Sequence, residues 1–287
     1  MKNQWVQEHL TDAKTKLPFS FVYDGKASAG LLPEWSKKVE SGKVDANRPQ
    51  RTMTWTDPKT GLEVHCVAVE YTAYPTIEWT LYFKNGGDKD TPILSDIQAV
   101  DTVFEKESLL HHFKGDSMTK DSFEPLVTPL TSGVEKRFAS AGGRPSNGEW
   151  PYYNVEWKGG GVILAVGWPG QWASRFSREQ AQGVRIRAGQ ELTRFTLHPG
   201  EEVRTPLIAL MFYQTGWLAG QNLWRRWMLA QNFPKDRGRA LSPKLAGFCG
   251  NNFPGNRTVN SERWVVFSVQ REERFRQIQR AEPAYSG

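Results

Sequence analysis

In the segment TIEWTLYFK, residues 76–84, Ile77, Trp79, Leu81 and Phe83 alternate with Thr76, Glu78, Thr80 and Tyr82. A side-chain period of two puts one set on each face of a strand, so this segment fits a sheet with one buried face and resists a helix, whose apolar positions recur every three to four residues. The preceding stretch repeats the pattern. Leu62, Val64, Cys66 and Ala68 alternate with Glu63, His65, Val67 and Val69, and DPKTG at 57–61 supplies a turn from an earlier strand around 52–55. These three strands make a meander.

Further strands are expected at 93–104, after the turn cluster NGGDKDTP, and at 191–197 and 203–212, joined by HPGE with Pro199 and Gly200 in a tight turn. The apolar run 162–166 reads as a buried strand. Helices are few. Leu31, Trp35 and Val39 recur every four residues and predict one over 31–40, with Pro33 in its first turn; Leu223, Trp227 and Ala230 predict a second over 218–231, stopped by Asn232-Phe233-Pro234. The polar, proline-containing PKDRGRALSPK that follows is the natural domain boundary. The expected organisation is a mainly β, large antiparallel sandwich over 1–217, a linker helix and linker over 218–245, and a short irregular tail over 246–287.

Charge and cysteine content narrow the function classes. Of 37 basic and 31 acidic residues, 10 and 5 fall in 235–287, which leaves 27 against 26 in the body. A nucleic-acid footprint needs basic side chains concentrated on one face, so no nucleic-acid partner is expected for the body. No run of eighteen apolar residues exists, so no membrane-spanning helix is expected, and MKNQWVQEHL has no apolar core of a secretory signal; a native start there would place the protein in the cytoplasm. Cys66 and Cys249 are far apart and outside any C-x-x-C pair, which favours reduced, buried thiols over a disulfide or a zinc site. No metal or other cofactor is implied.

Between 150 and 172 lie four tryptophans and two tyrosines, in WPYYNVEWKGGGVILAVGWPGQW. Rigid rings that carry an N–H suit the apolar faces and hydroxyls of sugars, yet tryptophan is also a core residue; at least one of these rings is expected to meet a ligand. His111 and His112 are neighbours and point to opposite sides of an extended segment, so a surface or rim role is favoured over a shared metal with Asp116. The glycine run 159–161 precedes a strand and is no phosphate loop, and no Ser-His-Asp set can be assigned.

Several motifs in order carry a resemblance. TDPKTGLEVHCVAVEYTAYPTIEWTLYFKNGG, GGRPSNGEWPYYNVEWKGGGVILAVGWPGQW, ELTRFTLHPGEEVRTPLIALMF and NLWRRWMLAQN, spread over about 17–254, resemble the N-terminal region of α-galactosidases (melibiases) of glycoside hydrolase family thirty-six. The resemblance implies a β-supersandwich of galactose-mutarotase type, then a linker helix, then a catalytic β/α barrel whose first strand would begin in KLAGFCGNNFPG. A barrel takes about 250 residues, and about 30 follow Gly255. The two opposed catalytic aspartates that the family carries on its barrel match no position here, so no catalytic residue is assigned. Glu262, Glu272, Glu273 and Glu282 read as solvated charges. The tail from Arg257 reads either as a truncation or frame change or as a true extension, with 264–269 able to form an edge strand and 271–280 a polar helix.

In the resemblance the sandwich helps shape the galactose pocket, and GGRPSNGEWPYY is the segment positioned to do so. Arg144 and Asn147 would hold sugar hydroxyls, and Trp150 and Tyr152 would offer stacking faces; Trp168, Gln171 and Trp172 form a second patch. Three functions stay open. They are the N-terminal domain of an α-galactosidase-like hydrolase, catalytically incomplete and contacting an α-galactoside; a stand-alone glycan-binding module; and a structural domain using exposed aromatics in a homo-oligomer.

Overall fold

The computed structural model describes residues 1–11, 16–104, 107–178 and 183–240. The chain divides into two compact units, Met1–Phe233 and Pro234–Gly287. In the second, the described residues form a small hairpin, Lys235–Asp236 with Arg239–Ala240. The expected barrel entry, the edge strand at 264–269, the helix at 271–280 and Cys249 lie outside the described residues.

The first unit opens with α1 (Lys2–Val6), extended by a π-helical turn, Gln7–Thr11. Strands β1 (Ser20–Tyr23) and β2 (Lys26–Ala27) and the single turn α2 (Ser28–Leu31) follow. The meander is β3 (Ser36–Asp45), β4 (Arg48–Thr56), β5 (Leu62–Glu70) and β6 (Thr76–Asn85), then β7 (Leu94–Gln98), β8 (Val100–Phe104) and β9 (Ser108–Phe113). Next come β10 (Pro125–Leu130), β11 (Glu135–Ala139), β12 (Tyr152–Trp157), β13 (Gly160–Gly167), β14 (Trp172–Arg178) and β15 (Val184–Gln190). The last are β16 (Arg194–Phe195), β17 (Glu202–Arg204), β18 (Leu207–Gln214) and the helix α3 (Trp217–Trp227).

These strands build one ten-stranded sheet, ordered β10-β9-β12-β13-β18-β6-β5-β4-β3 with β17 also on β6, and two four-stranded sheets, β11-β14-β15-β8 and β16-β7-β1-β2. Every pairing is antiparallel. The inward set of the alternating segments, Leu62, Val64 and Cys66 with Ile77, Trp79, Leu81 and Phe83, joins Trp172, Phe176 and Ile186 of the second sheet in one core, as a sandwich with one-sided burial requires. Trp5 stacks on Trp79 at 5.6 Å and closes that core from α1. Burial pushes the Cys66 thiol well above its ordinary range, so it stays protonated and inert.

Three sequence expectations change. The segment 31–40 is not a helix: α2 ends at Leu31, and from Ser36 the chain pairs with β4 along its whole length. Trp35 is buried against Phe21 and Tyr23, whereas Val39 is half exposed, so the four-residue spacing reflects one anchored ring and no helical face. The strand expected at 191–197 shrinks to Arg194–Phe195, and that at 203–212 is split at Thr205-Pro206, where proline cannot donate to a ladder. The Thr205 hydroxyl takes over by accepting the Leu81 N–H at 3.1 Å.

The turn after β6 is held by one side chain. Asn85 is fully buried, donates to the carbonyls of Lys89 (2.7 Å) and Leu197 (2.8 Å), and accepts the Gly87 N–H at 2.9 Å. At the sheet margin, the Lys114 N–H bonds to the Glu124 carbonyl, and the β10–β9 register continues from there. Residues 126, 128 and 130 therefore bond inward, and Pro125, Val127 and Pro129 turn their nitrogens outward.

Helix α3 lies on the outer face of the large sheet, over Tyr152, Ile163, Met211 and Tyr213, with Trp227 buried among them. Tyr213 needs two glycines to lie flat there. A Cβ on Gly161 would sit 2.2 Å from its phenol oxygen, and one on Gly220 would sit 2.7 Å from its ring. The sheet caps the helix: Glu156 accepts the Trp217 N–H at 3.0 Å, a carboxylate at the positive helix end, and its other oxygen is 2.8 Å from His111 Nε2. His111 also stacks on Trp217 at 4.9 Å, and His112 packs on Phe138. Both histidines are buried, so neither has the rim position expected of them.

Candidate functional site

The segment between β11 and β12 crosses from the second sheet to the large one, and its shape comes from glycines and one asparagine. Gly142, Gly143 and Gly148 have φ of +61°, +73° and +79°, a region that favours glycine. Asn147 closes the turn with its side chain, donating from Nδ2 to the Ala141 carbonyl at 3.0 Å, while the Ala141 N–H bonds to the Asn147 carbonyl at 2.9 Å. The 114–116 segment seats the turn from below through Gly115 N–H to Gly148 O (2.8 Å) and Asp116 N–H to Ser146 O (2.6 Å). Gly115 has to be glycine, because a Cβ would lie 2.2 Å from the Ser146 carbonyl.

Gln171 and Trp172 hold the same turn from the second sheet. Gln171 donates to the Ser140 carbonyl and to Glu191 (2.7 Å) and accepts the Gly143 N–H at 3.3 Å; Trp172 donates to the Pro145 carbonyl at 2.7 Å. The structure therefore brings Arg144, Asn147, Gln171 and Trp172 together. Arg144 is exposed, and Asn147 and Gln171 are partly exposed.

The aromatic part of the expected site is different. Trp172 is fully buried because it faces inward opposite Gln190, so it supports the turn from the core and offers no stacking face. Tyr152 is also buried, in the α3 interface, with its ring on Trp224 and its hydroxyl donating to Gln221. Trp150 packs against the same cluster, edge-to-face with Phe123 at 5.2 Å. Trp168 is half-buried, with the Arg204 guanidinium 5.4 Å above its ring. Of the four expected rings, Trp150 and Trp168 keep partial exposure.

The geometry adds groups that the sequence reading did not select. Glu149, in the same turn, is half-buried with no partner for its carboxylate among the described residues, and burial pushes its pKa above the ordinary range. A carboxyl whose folded pKa is raised contributes stability that is fully present below the unfolded value of about 4.3 and is lost as pH rises through the folded value. Glu149→Gln removes that loss. Urea unfolding at pH 4 and pH 7 should show the variant gaining on the parent at the higher pH, and identical pH dependence would mean the carboxyl is effectively solvated.

From Gln171 a polar strip continues over the outer face of the second sheet. Register places Arg137 opposite Arg175, Arg175 opposite Arg187, and Arg187 opposite Asp101. Glu191 accepts from Arg137 and Gln171, Glu135 lies 3.3 Å from Arg175, and Asp101 takes a bidentate bond from Arg185 at 2.8 Å twice. Burial raises the Asp101 pKa, but hydrogen bonds from Arg185 and Ser20 outweigh it and hold the carboxyl below the usual range. A cleft of about 570 Å³ floored by Phe19, Trp35 and Trp55 opens at one end of the strip, and a smaller hollow of about 190 Å³ lies over the arginines. A further hollow of about 760 Å³ is elsewhere, beside the start of α3, and its acids Glu156 and Glu107 are engaged by His111 and Arg178. No cluster of three metal-ligating side chains occurs among the described residues, and no described helix is long and apolar enough to cross a membrane.

No family model matches the sequence, and no curated protein matches it. Solved structures do match. The galactosidase domain of an α-galactosidase-sucrose kinase superposes with a TM-score of 0.58 at 18% identity, over 74% of this chain and 32% of that one. An α-galactosidase from Lactobacillus brevis gives 0.57 at 16%, over 76% and 31%. The family 36 α-galactosidase AgaA of Geobacillus stearothermophilus in complex with raffinose gives 0.56 at 17%, over 75% and 32%. The chain has the fold of the N-terminal β-domain of family 36 α-galactosidases. It spans about a third of the length of these α-galactosidase chains. At this identity the likeness concerns fold, and the function has to be argued from the site.

Proposed function

We propose that this chain is the N-terminal domain of an α-galactosidase-like glycoside hydrolase, that it contacts an α-galactoside through the 140–150 turn, and that it supplies no catalytic carboxylate. The observation that carries the reading is the match of three quarters of the chain to one portion of α-galactosidases, one of them bound to raffinose. The turn supports it locally, since Arg144 is exposed with no ion pair among the described residues while Asn147, Gln171 and Trp172 fix the backbone of the turn. A guanidinium on a rigid turn suits sugar hydroxyls. Retaining glycosidases need two carboxyl groups about 5 Å apart across the scissile bond. Here Asp101, Glu191, Glu156 and Glu78 are bonded to Arg185, Arg137, His111 and Tyr71, and the Glu149 carboxylate has no partner among the described residues.

Two measurements test this. The chain by itself should not turn over an aryl α-galactoside; turnover abolished by substituting one of its own acids would overturn the claim of catalytic incompleteness. Raffinose titrated into the chain should bind weakly, and Arg144→Ala should weaken it about tenfold, the cost of one charged hydrogen bond. Unchanged affinity in that variant would remove the turn from the sugar contact.

A further inference from the structure

Three guanidinium groups directly opposite one another across a sheet repel, at a spacing of about 5 Å. In the row Arg137, Arg175, Arg187 the first two members are relieved by Glu191 and Glu135. Arg187 has no ion pair or hydrogen bond among the described residues, although it is half-buried in the middle of the face. Asp96 lines both of the hollows that Arg187 lines, yet the two form no ion pair. Asp96 is held in a left-handed backbone conformation, φ +46°, and accepts from Gln98. The 570 Å³ cleft and the 190 Å³ hollow meet at these two residues, so Arg187 stands at the centre of one groove with aromatic rings at one end and arginines at the other.

We infer that this groove binds an acidic saccharide, with Arg187 as the anchor for its carboxylate. The mixture of groups selects that ligand class. Arg187 is the one cation of the row with no ion pair or hydrogen bond among the described residues, because Asp101 opposite it is already held by Arg185, and a guanidinium grips a carboxylate bidentately. Asp96, Glu191 and Asp101 would repel a nucleic acid or other polyanion, but suit a chain whose remaining groups are hydroxyls. Phe19 and Trp35 supply the apolar wall that a pyranose ring needs. This inference stands apart from the α-galactoside reading, which rests on Arg144 and the 140–150 turn.

Calorimetric titration of the full chain with an aldotriouronic acid, one uronate on two neutral sugars, with raffinose as the neutral control and inorganic phosphate as the simple anion, tests it. The aldotriouronic acid should bind, Arg187→Gln should weaken it at least tenfold, and Arg187→Lys should fall between. Asp96→Asn, which removes a like charge from the ligand's neighbourhood, should tighten binding severalfold, and it keeps the test open should the Arg187 variants unfold. Absence of aldotriouronic acid binding, equal affinity in Arg187→Gln, or phosphate binding as tightly as the trisaccharide would overturn the inference. Raffinose binding should respond to Arg144→Ala and not to Arg187→Gln, so the two readings fail separately.

Discussion

Replacing Asn85 by alanine should lower the unfolding free energy by about 3–5 kcal/mol, among the largest effects of any single substitution here. The reason is accounting of polar groups. The side chain satisfies the carbonyls of Lys89 and Leu197 and the N–H of Gly87, and it is itself inaccessible to water. Alanine leaves these groups without that partner in a place that solvent reaches poorly. Aspartate is the sharper probe, because it keeps the acceptor for Gly87 but turns a negative charge toward two carbonyls. It should be at least as damaging as alanine. Urea denaturation of the parent and both variants provides the check, and a loss under about 1 kcal/mol for alanine would mean that water enters the turn and substitutes.

Gly161→Ala should cost about 3 kcal/mol, at the upper end of what overpacking a buried site does. The added Cβ meets the Tyr213 hydroxyl at 2.2 Å on one side and the Val155 carbonyl at 2.6 Å on the other, so neither a rotamer change nor a small backbone shift relieves both. For a unit of this size that is a fall in melting temperature of roughly 6–12 °C. The double variant Gly161→Ala with Tyr213→Phe distinguishes the mechanism. Removing the hydroxyl takes away the shorter contact, at the expense of its hydrogen bond to Asn154 at 2.6 Å. The two changes should therefore be less harmful together than the sum of their separate effects, and strict additivity would show that Tyr213 moves aside freely.

Which parts of this architecture a reader of the sequence could see follows from where burial is one-sided. Strands β5 and β6 are buried on one face along most of their length, so Leu62 to Ala68 and Ile77 to Phe83 print a period of two into the chain. Strand β3 prints nothing. All ten of its residues are exposed, so its identity comes from pairing with β4, and the accident of Leu31, Trp35 and Val39 at four-residue steps suggested a helix instead. In the candidate site, Gln171 and Arg144 could be picked by type and loop position. Trp172 could not be placed by type, because whether that ring faces core or rim depends on its register with Gln190. The arginine row was harder still. Arg175, Arg185 and Arg187 alternate with Ser174, Phe176, Ile186 and Ala188 within their own strands, but their alignment with Arg137 and Asp101 requires pairings across as many as 86 positions, as between Arg187 and Asp101. A local pattern carries no record of such distances.

Strand β10, one of the two edges of the large sheet, has a bearing on how copies of this protein behave when concentrated. A β-margin with a full row of outward peptide donors is a template on which a second molecule can polymerise. Along β10 that row is interrupted at two of its three places, since Pro125 and Pro129 have no hydrogen to give and only Val127 between them can donate. Fibrillar growth from this rim is thereby starved of its zipper, even though Val127 and Leu109 leave apolar surface beside it.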